Sequence, residues 1–249
     1  MRTRTLALAA ASGAALLAAA TVTPAEASPA PGAVSAVAPR ADSGAADRDG
    51  VGIKEGSVSA ADLLAKVTSC SQISNGKYRT DEEASATIPV CGKNGAVFWK
   101  ADMDIDCDGE ITTACNANTD PWFQDDTAFH TSGDKPLSAE KLPYVVVPSS
   151  SSIWNYSSAG IKGGGVVAVI YNNKVEYAVV GDTGPSKIIG EASYATAKAL
   201  GIDPDPETGG ADSGVTYILF KNSQASPIES HSAAVTAGEA LAKQFIQNN

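Results

Sequence analysis

Short apolar runs rich in Val, Ile and Tyr, each ended by Gly, Pro, Asn or Asp, set the strongest limit on what this chain can fold into. β-Branched and aromatic residues suit a pleated, half-buried surface, and the interruptions come too often for long helices. Six runs qualify as strands: 87–91, 97–106, 144–147, 166–171, 175–181 and 215–220. Asn172-Asn173 separates two of them and tolerates the left-handed backbone of a tight hairpin. Helices are expected at 59–67 with Ser59 as N-cap, from just after Glu191 to the stop at Gly201, and from about Ser232 onward, with His231 as the cap. Mostly strands with a few peripheral helices implies a mainly β barrel or sandwich.

The N-terminal stretch carries Arg2 and Arg4, then an Ala/Leu run, then Ala25-Glu26-Ala27. That three-part pattern is expected to be a secretory signal peptide over 1–27. Residues 28–55 hold Pro, Ala, Gly, Ser and Asp with few large apolar side chains, so a flexible leader is expected there. A single catalytic domain is expected over 56–249. The formal charge is −10, and the signal segment contributes a net +1, so the exported chain is near −11. Such acidity argues against nucleic acid and anionic membranes and suits a cationic partner. A monomer is expected.

Four cysteines in an exported chain read as two disulfides. Pairing Cys70 with Cys91 and Cys107 with Cys115 closes the shortest loops. The competing reading is zinc, but no C-x-x-C or H-E-x-x-H spacing occurs and the histidines are His130 and His231 only. No metal and no cofactor are expected.

Two acidic constellations stand out. Asp102, Asp104, Asp106 and Asp108 alternate with Met103, Ile105 and Cys107, so a strand would put the four carboxylates on one face. Three readings fit: a binding face for a cationic ligand, a solvated acidic face, or half of a calcium loop that lacks its final glutamate, since Cys115 stands there. The second constellation is Asp182 and Glu191 on either side of Gly184-Pro185, one at a strand end and one at the expected helix start. Two carboxyls meeting across a loop can serve as general acid and general base for glycosidic hydrolysis. The plainer alternative is an Asx turn and a first-turn helical glutamate. Gly-x-Ser-x-Gly, P-loop and dinucleotide fingerprints are absent. The irregular stretch 116–143 contains Trp122, Phe123 and Phe129, and is expected to order as one wall of a cleft.

The segments ADMDIDCDG, TDPWFQDDTAF, KLPYVVVP, VVGDTGPSKIIGEAS and SGVTYILF, in that order, resemble the secreted chitosanases of glycoside hydrolase family 75. The resemblance runs from about residue 81 to 220. It implies endo-hydrolysis of β-1,4-glucosamine linkages in chitosan with inversion, and a catalytic pair at Asp182 and Glu191. It also implies a six-stranded double-psi-like β barrel. On this reading Asp102, Asp104, Asp106, Asp108, Trp122, Asp126 and Thr183 bind substrate. A helix N-terminus stabilises an ionised carboxylate, so Glu191 is expected to be the base and Asp182 the acid. Alternatives are a hydrolase of another β-1,4-glycan, or a non-catalytic chitosan-binding or calcium-stabilised secreted module.

Overall fold

The structure is a computed structural model that describes residues 55–249. The expected signal peptide and all but the last residue of the expected leader lie outside the described residues. Element order is α1 (Ala60–Lys66), β1 (Ser71–Gln72), β2 (Cys91–Lys93), β3 (Ala96–Asp106), β4 (Tyr144–Pro148), β5 (Val166–Tyr171), β6 (Lys174–Gly184), β7 (Glu191–Ser193), α2 (Tyr194–Leu200), β8 (Ala211–Phe220) and α3 (His231–Asn248).

Six of these strands close a barrel in the order β3-β7-β4-β6-β5-β8, with β8 returning to β3. Two pairs, β3–β7 and β4–β6, are parallel and the rest antiparallel. Such a mixture arises when the chain crosses over between non-adjacent strands, which is the double-psi-like arrangement. Closure gives every barrel strand a neighbour on both sides, which limits the open edge available for aggregation. Alternate residues point inward. Val145, Val147, Val167, Val169, Ala178 and Val180 pack inside around Trp99, which stacks on Tyr217 with centroids 5.5 Å apart. The opposite set, including Phe98, Val166, Ile218 and Phe220, faces outward and is covered by α1 and α3. Phe245 of α3 meets Phe220 edge-on at 6.1 Å, a contact of the kind worth about 1 kcal/mol beyond its buried area.

Local chemistry explains where most elements begin and end. Ser59 caps α1 by accepting from the Asp62 N–H at 3.1 Å. Asn172 and Asn173 take φ of 44° and 65° in the β5–β6 hairpin. The disulfides join Cys70 to Cys91 and Cys107 to Cys115, as expected.

Three expectations need correction. Of residues 87–91, only Cys91 belongs to a strand, and Ile88 makes an isolated bridge with Tyr78. The sixth barrel strand is β7, hidden at the start of the expected helix. There, Ser193 caps α2 through the Thr196 N–H, so Glu191 and Ala192 stay extended and pair with β3 and β4. The cap of α3 is Ser230, and His231 is that helix's first residue.

One irregularity decides where the functional side chains point. Val145 pairs with Val180, but Val146 pairs with Asp182, so Gly181 is an extra residue in β6. Val180 faces the barrel interior, and strict alternation would send Asp182 inward as well. The bulge shifts the parity and turns Asp182 to the outer face beside Val146. A side chain at 181 would meet the Tyr144 Cβ at 2.6 Å, so only glycine fits. Gly181→Ala is expected to lower unfolding free energy by about 1–3 kcal/mol in urea denaturation, through overpacking against Tyr144. Unchanged stability would mean that Tyr144 gives way freely.

Candidate active site

The outer face of the barrel carries one row of residues across four neighbouring strands. Asp104 of β3 pairs with Glu191 of β7, Glu191 pairs with Val146 of β4, and Val146 pairs with Asp182 of β6. The two carboxylates expected to act together are therefore separated by one strand carrying an apolar valine. They open into a cleft of about 580 Å³. Its floor is the end of β3, its near wall is the 116–143 stretch through Asp120, Trp122 and Gln124, and its far wall is the turn with Pro206, Glu207 and Gly209.

The wall is tied to the floor by backbone bonds. The Gln124 N–H donates to Asp108 at 2.7 Å, and the Gly109 N–H donates to the Gln124 carbonyl at 2.9 Å. The Cys107–Cys115 bridge closes the turn just below. Asp182 is a second anchor: its Oδ1 accepts from the Ala128 N–H at 2.8 Å and from the Thr183 N–H at 2.6 Å.

The cleft lining has carboxylates on every side and no basic residue. Burial and mutual repulsion therefore push the carboxyl pKa values upward, since nothing nearby offsets the charge. Glu191 is raised to about 8, by desolvation first and then by Asp104, Asp108 and Asp182. Asp106, buried beside it, is raised well above the usual carboxylate range by desolvation and then by Glu191. Asp108 rises to about 6 on desolvation, moderated by the Gln124 N–H. Asp182 is also raised by desolvation, but the two donated N–H bonds pull it back down. Desolvation and like charge thus favour the protonated form of Glu191, whereas at Asp182 two backbone donors oppose the rise that burial causes.

Most of the expected ligand-facing residues converge here. Asp104, Asp106, Asp108, Trp122 and Thr183 line the cleft with the pair. Trp122 is 86% exposed, so it is a platform at the rim and not part of the core. Two residues fall outside. Asp102 is buried, with Oδ1 so close to Gly190 that a Cβ there would sit 2.0 Å away, and its pKa is raised to about 7 by desolvation and then by Asp104. Asp126 lines a smaller adjoining hollow of about 200 Å³ and meets His130 at 2.8 Å.

The alternation of carboxylates along β3 holds as far as Asp106, where the strand ends. The face is not solvated throughout, because Asp102 and Asp106 are buried and only Asp104 is exposed. Met103 faces the interior, whereas Cys107, past the strand, packs outside the barrel. Sequence reasoning missed Asp120 and the 206–209 turn. The acidic, turn-rich run Asp-Pro-Asp-Pro-Glu at 203–207 is the signal that was available.

A closed β barrel that presents paired acids in an acid-lined cleft on its outer face is the class of protein these features define. The chain belongs to the fungal chitosanases of glycosyl hydrolase group 75, whose family model matches residues 103–248. It is 34% identical over 159 residues to endo-chitosanase C of Aspergillus oryzae, covering 62% of this chain and 37% of that one. It is 32% identical over 158 residues to endo-chitosanase B of A. oryzae (strain ATCC 42149 / RIB 40), covering 57% and 66%. It is 33% identical over 141 residues to an endo-chitosanase of Aspergillus fumigatus, covering 51% and 59%. The chain thus spans less than two thirds of the length of each of these relatives. Among solved structures, the Streptomyces papain inhibitor aligns over 54% of this chain and all of its own, at 16% identity and a TM-score of 0.31.

The raised carboxyls carry a stability prediction. Glu191 titrates near 4.5 unfolded and about 8 folded, and Asp102 near 3.8 and about 7. Between those values the folded chain binds more protons than the unfolded one, so each group's stabilising contribution is complete below its unfolded value and lost as pH rises through its folded one. Melting temperature is expected to fall from pH 5 to pH 9, and Glu191→Gln or Asp102→Asn to reduce that fall. A fall of the same size in both variants would refute the assignment.

Proposed function

We propose that this protein is a secreted, inverting endo-chitosanase in which Glu191 is the general acid and Asp182 the general base. The observation that carries this reading is the outer-face row, which holds Glu191 and Asp182 two strands apart over one acidic cleft. Two inter-strand spacings put their backbones roughly 9–10 Å apart. Inverting glycosidases need carboxyl groups about 6.5–9.5 Å apart to admit a water between base and sugar. Membership of the chitosanase family supports the substrate class, as does a lining with carboxylates and no basic group.

The roles are the reverse of those expected from sequence. Glu191 as base rested on its being at a helix N-terminus, and β7 removes that support. Half-buried among like charges, Glu191 keeps a proton to give to the glycosidic oxygen as the bond breaks. Asp182, held ionised by the Ala128 and Thr183 N–H groups, takes a proton from the water that attacks the opposite face of the sugar. The protonated amines of chitosan offset Asp104, Asp108 and Asp120, and Trp122 offers an aromatic face for a sugar ring to stack on. Export is supported by the expected signal peptide and by the two disulfides, which persist in an oxidising compartment.

Wild type is expected to release reducing ends from soluble chitosan at mildly acidic pH, with Asp182→Asn and Glu191→Gln each reducing turnover about 10²–10⁴-fold while melting normally. No release by the wild type would defeat the substrate assignment. Variants that keep most of the activity would defeat the pair, and the acids of β3 would then be tested next. Turnover should fall on the alkaline side as Glu191 loses its proton, around the value of about 8 to which it is raised. In an NMR time course the α-anomer should accumulate first, whereas initial β-anomer would rule out inversion.

A further inference from the structure

Glu176 lies six positions before Asp182 on β6, about 20 Å along the strand, so the catalytic cleft does not account for it. It is a buried carboxylate, and its neighbours come from two distant parts of the chain. β4 begins pairing with β6 only at Val179, and Glu55 serves the backbone left over. The Glu55 N–H donates to the Val175 carbonyl at 3.1 Å, and Glu55 Oε2 accepts from the Tyr177 N–H at 2.8 Å. Glu55 Oε1 is left facing the first residue of α3, where His231 Nε2 lies 2.7 Å from it and 3.5 Å from Glu176 Oε1.

We propose that Glu55, Glu176 and His231 form a zinc-type divalent metal site that fastens the start of the domain to the barrel and to α3. One donor atom from each of the three lies within 4.8 Å of the others. Tetrahedral zinc with bonds of 2.0–2.2 Å needs donor atoms about 3.3–3.5 Å apart. The observed 2.7 and 3.5 Å bracket that spacing, so small side-chain shifts would admit the ion. Charge agrees with geometry. Two carboxylates and a neutral imidazole balance one divalent cation. An imidazole nitrogen in the set selects zinc over calcium and magnesium, which prefer all-oxygen shells. Water would fill the fourth position, since Glu55 and His231 side chains remain 22% and 33% exposed. No spacing motif reveals the site, because its donors are far apart in sequence and only the fold assembles them.

The test is calorimetric titration of the metal-free full chain with zinc chloride, with calcium and magnesium chlorides as controls, alongside thermal melting. One zinc per chain is expected, with a rise in melting temperature that calcium and magnesium do not give. Glu176→Gln and His231→Ala should each weaken zinc binding by more than about tenfold, because losing a direct ligand costs at least what losing an outer-shell partner does. They should also abolish the thermal shift. Glu55→Gln, at a partly exposed position, provides the same comparison if either of those variants fails to fold. Glu191→Gln in the cleft should leave the titration unchanged. Absence of one-to-one zinc binding, or binding that survives the cluster substitutions, would overturn the proposal. Neither result bears on chitosan hydrolysis.

Discussion

The extra residue at Gly181 is the constraint on which the rest of the site depends. A strand that alternates without interruption presents every second side chain to the barrel core, and Val180 already occupies an inward position. Inserting one residue costs a ladder bond and demands a glycine against Tyr144, but it moves Asp182 out of the hydrocarbon interior and into line with Glu191 and Asp104. The barrel then acts as a rigid spacer. Val146 fixes the distance between the two carboxylates, because it is hydrogen-bonded into the strand between them.

Asp104, Asp106, Asp108, Asp120, Asp182 and Glu191 crowd one concavity with no basic side chain among its lining residues, so folding leaves like charges facing one another there. The same repulsion sorts the acids by chemistry. Where backbone N–H groups point at a carboxyl, as at Asp182, ionisation remains accessible. Where desolvation acts among surrounding like charges, as at half-buried Glu191 and buried Asp106, the protonated form is favoured. A single acidic lining thereby holds carboxyls of different proton affinity. The disulfide below Asp108 and the bonds from Gln124 hold the wall against which a sugar chain would lie.

Much of this was legible in the sequence because it rests on local signals. The β5–β6 hairpin followed from Asn172-Asn173, α1 from Ser59, and both disulfides from loop length. Five of the six barrel strands followed from their apolar runs. β7 was not legible: three residues are too few to show a period of two, and Ala192 next to a good helical run reads as helix until the Ser193 cap and two flanking strands hold it extended. The expected placing of Glu191 at a helix start failed for the same reason, since Glu191 is a strand residue and α2 begins only at Tyr194. Likewise, Asp102 and Asp104 look equivalent by alternation, and only packing under Gly190 buries one and leaves the other in the cleft.

The sequence by itself determined that this chain would be a mainly β, disulfide-closed protein with its two key acids on either side of one turn, because strand propensity, cap chemistry and turn chemistry act within a few residues. Tertiary structure alone decided which carboxylates face one another, and that Glu55, Glu176 and His231 meet at all. Each of those depends on barrel closure and on a one-residue shift of register, and both are set by contacts between segments far apart in the chain.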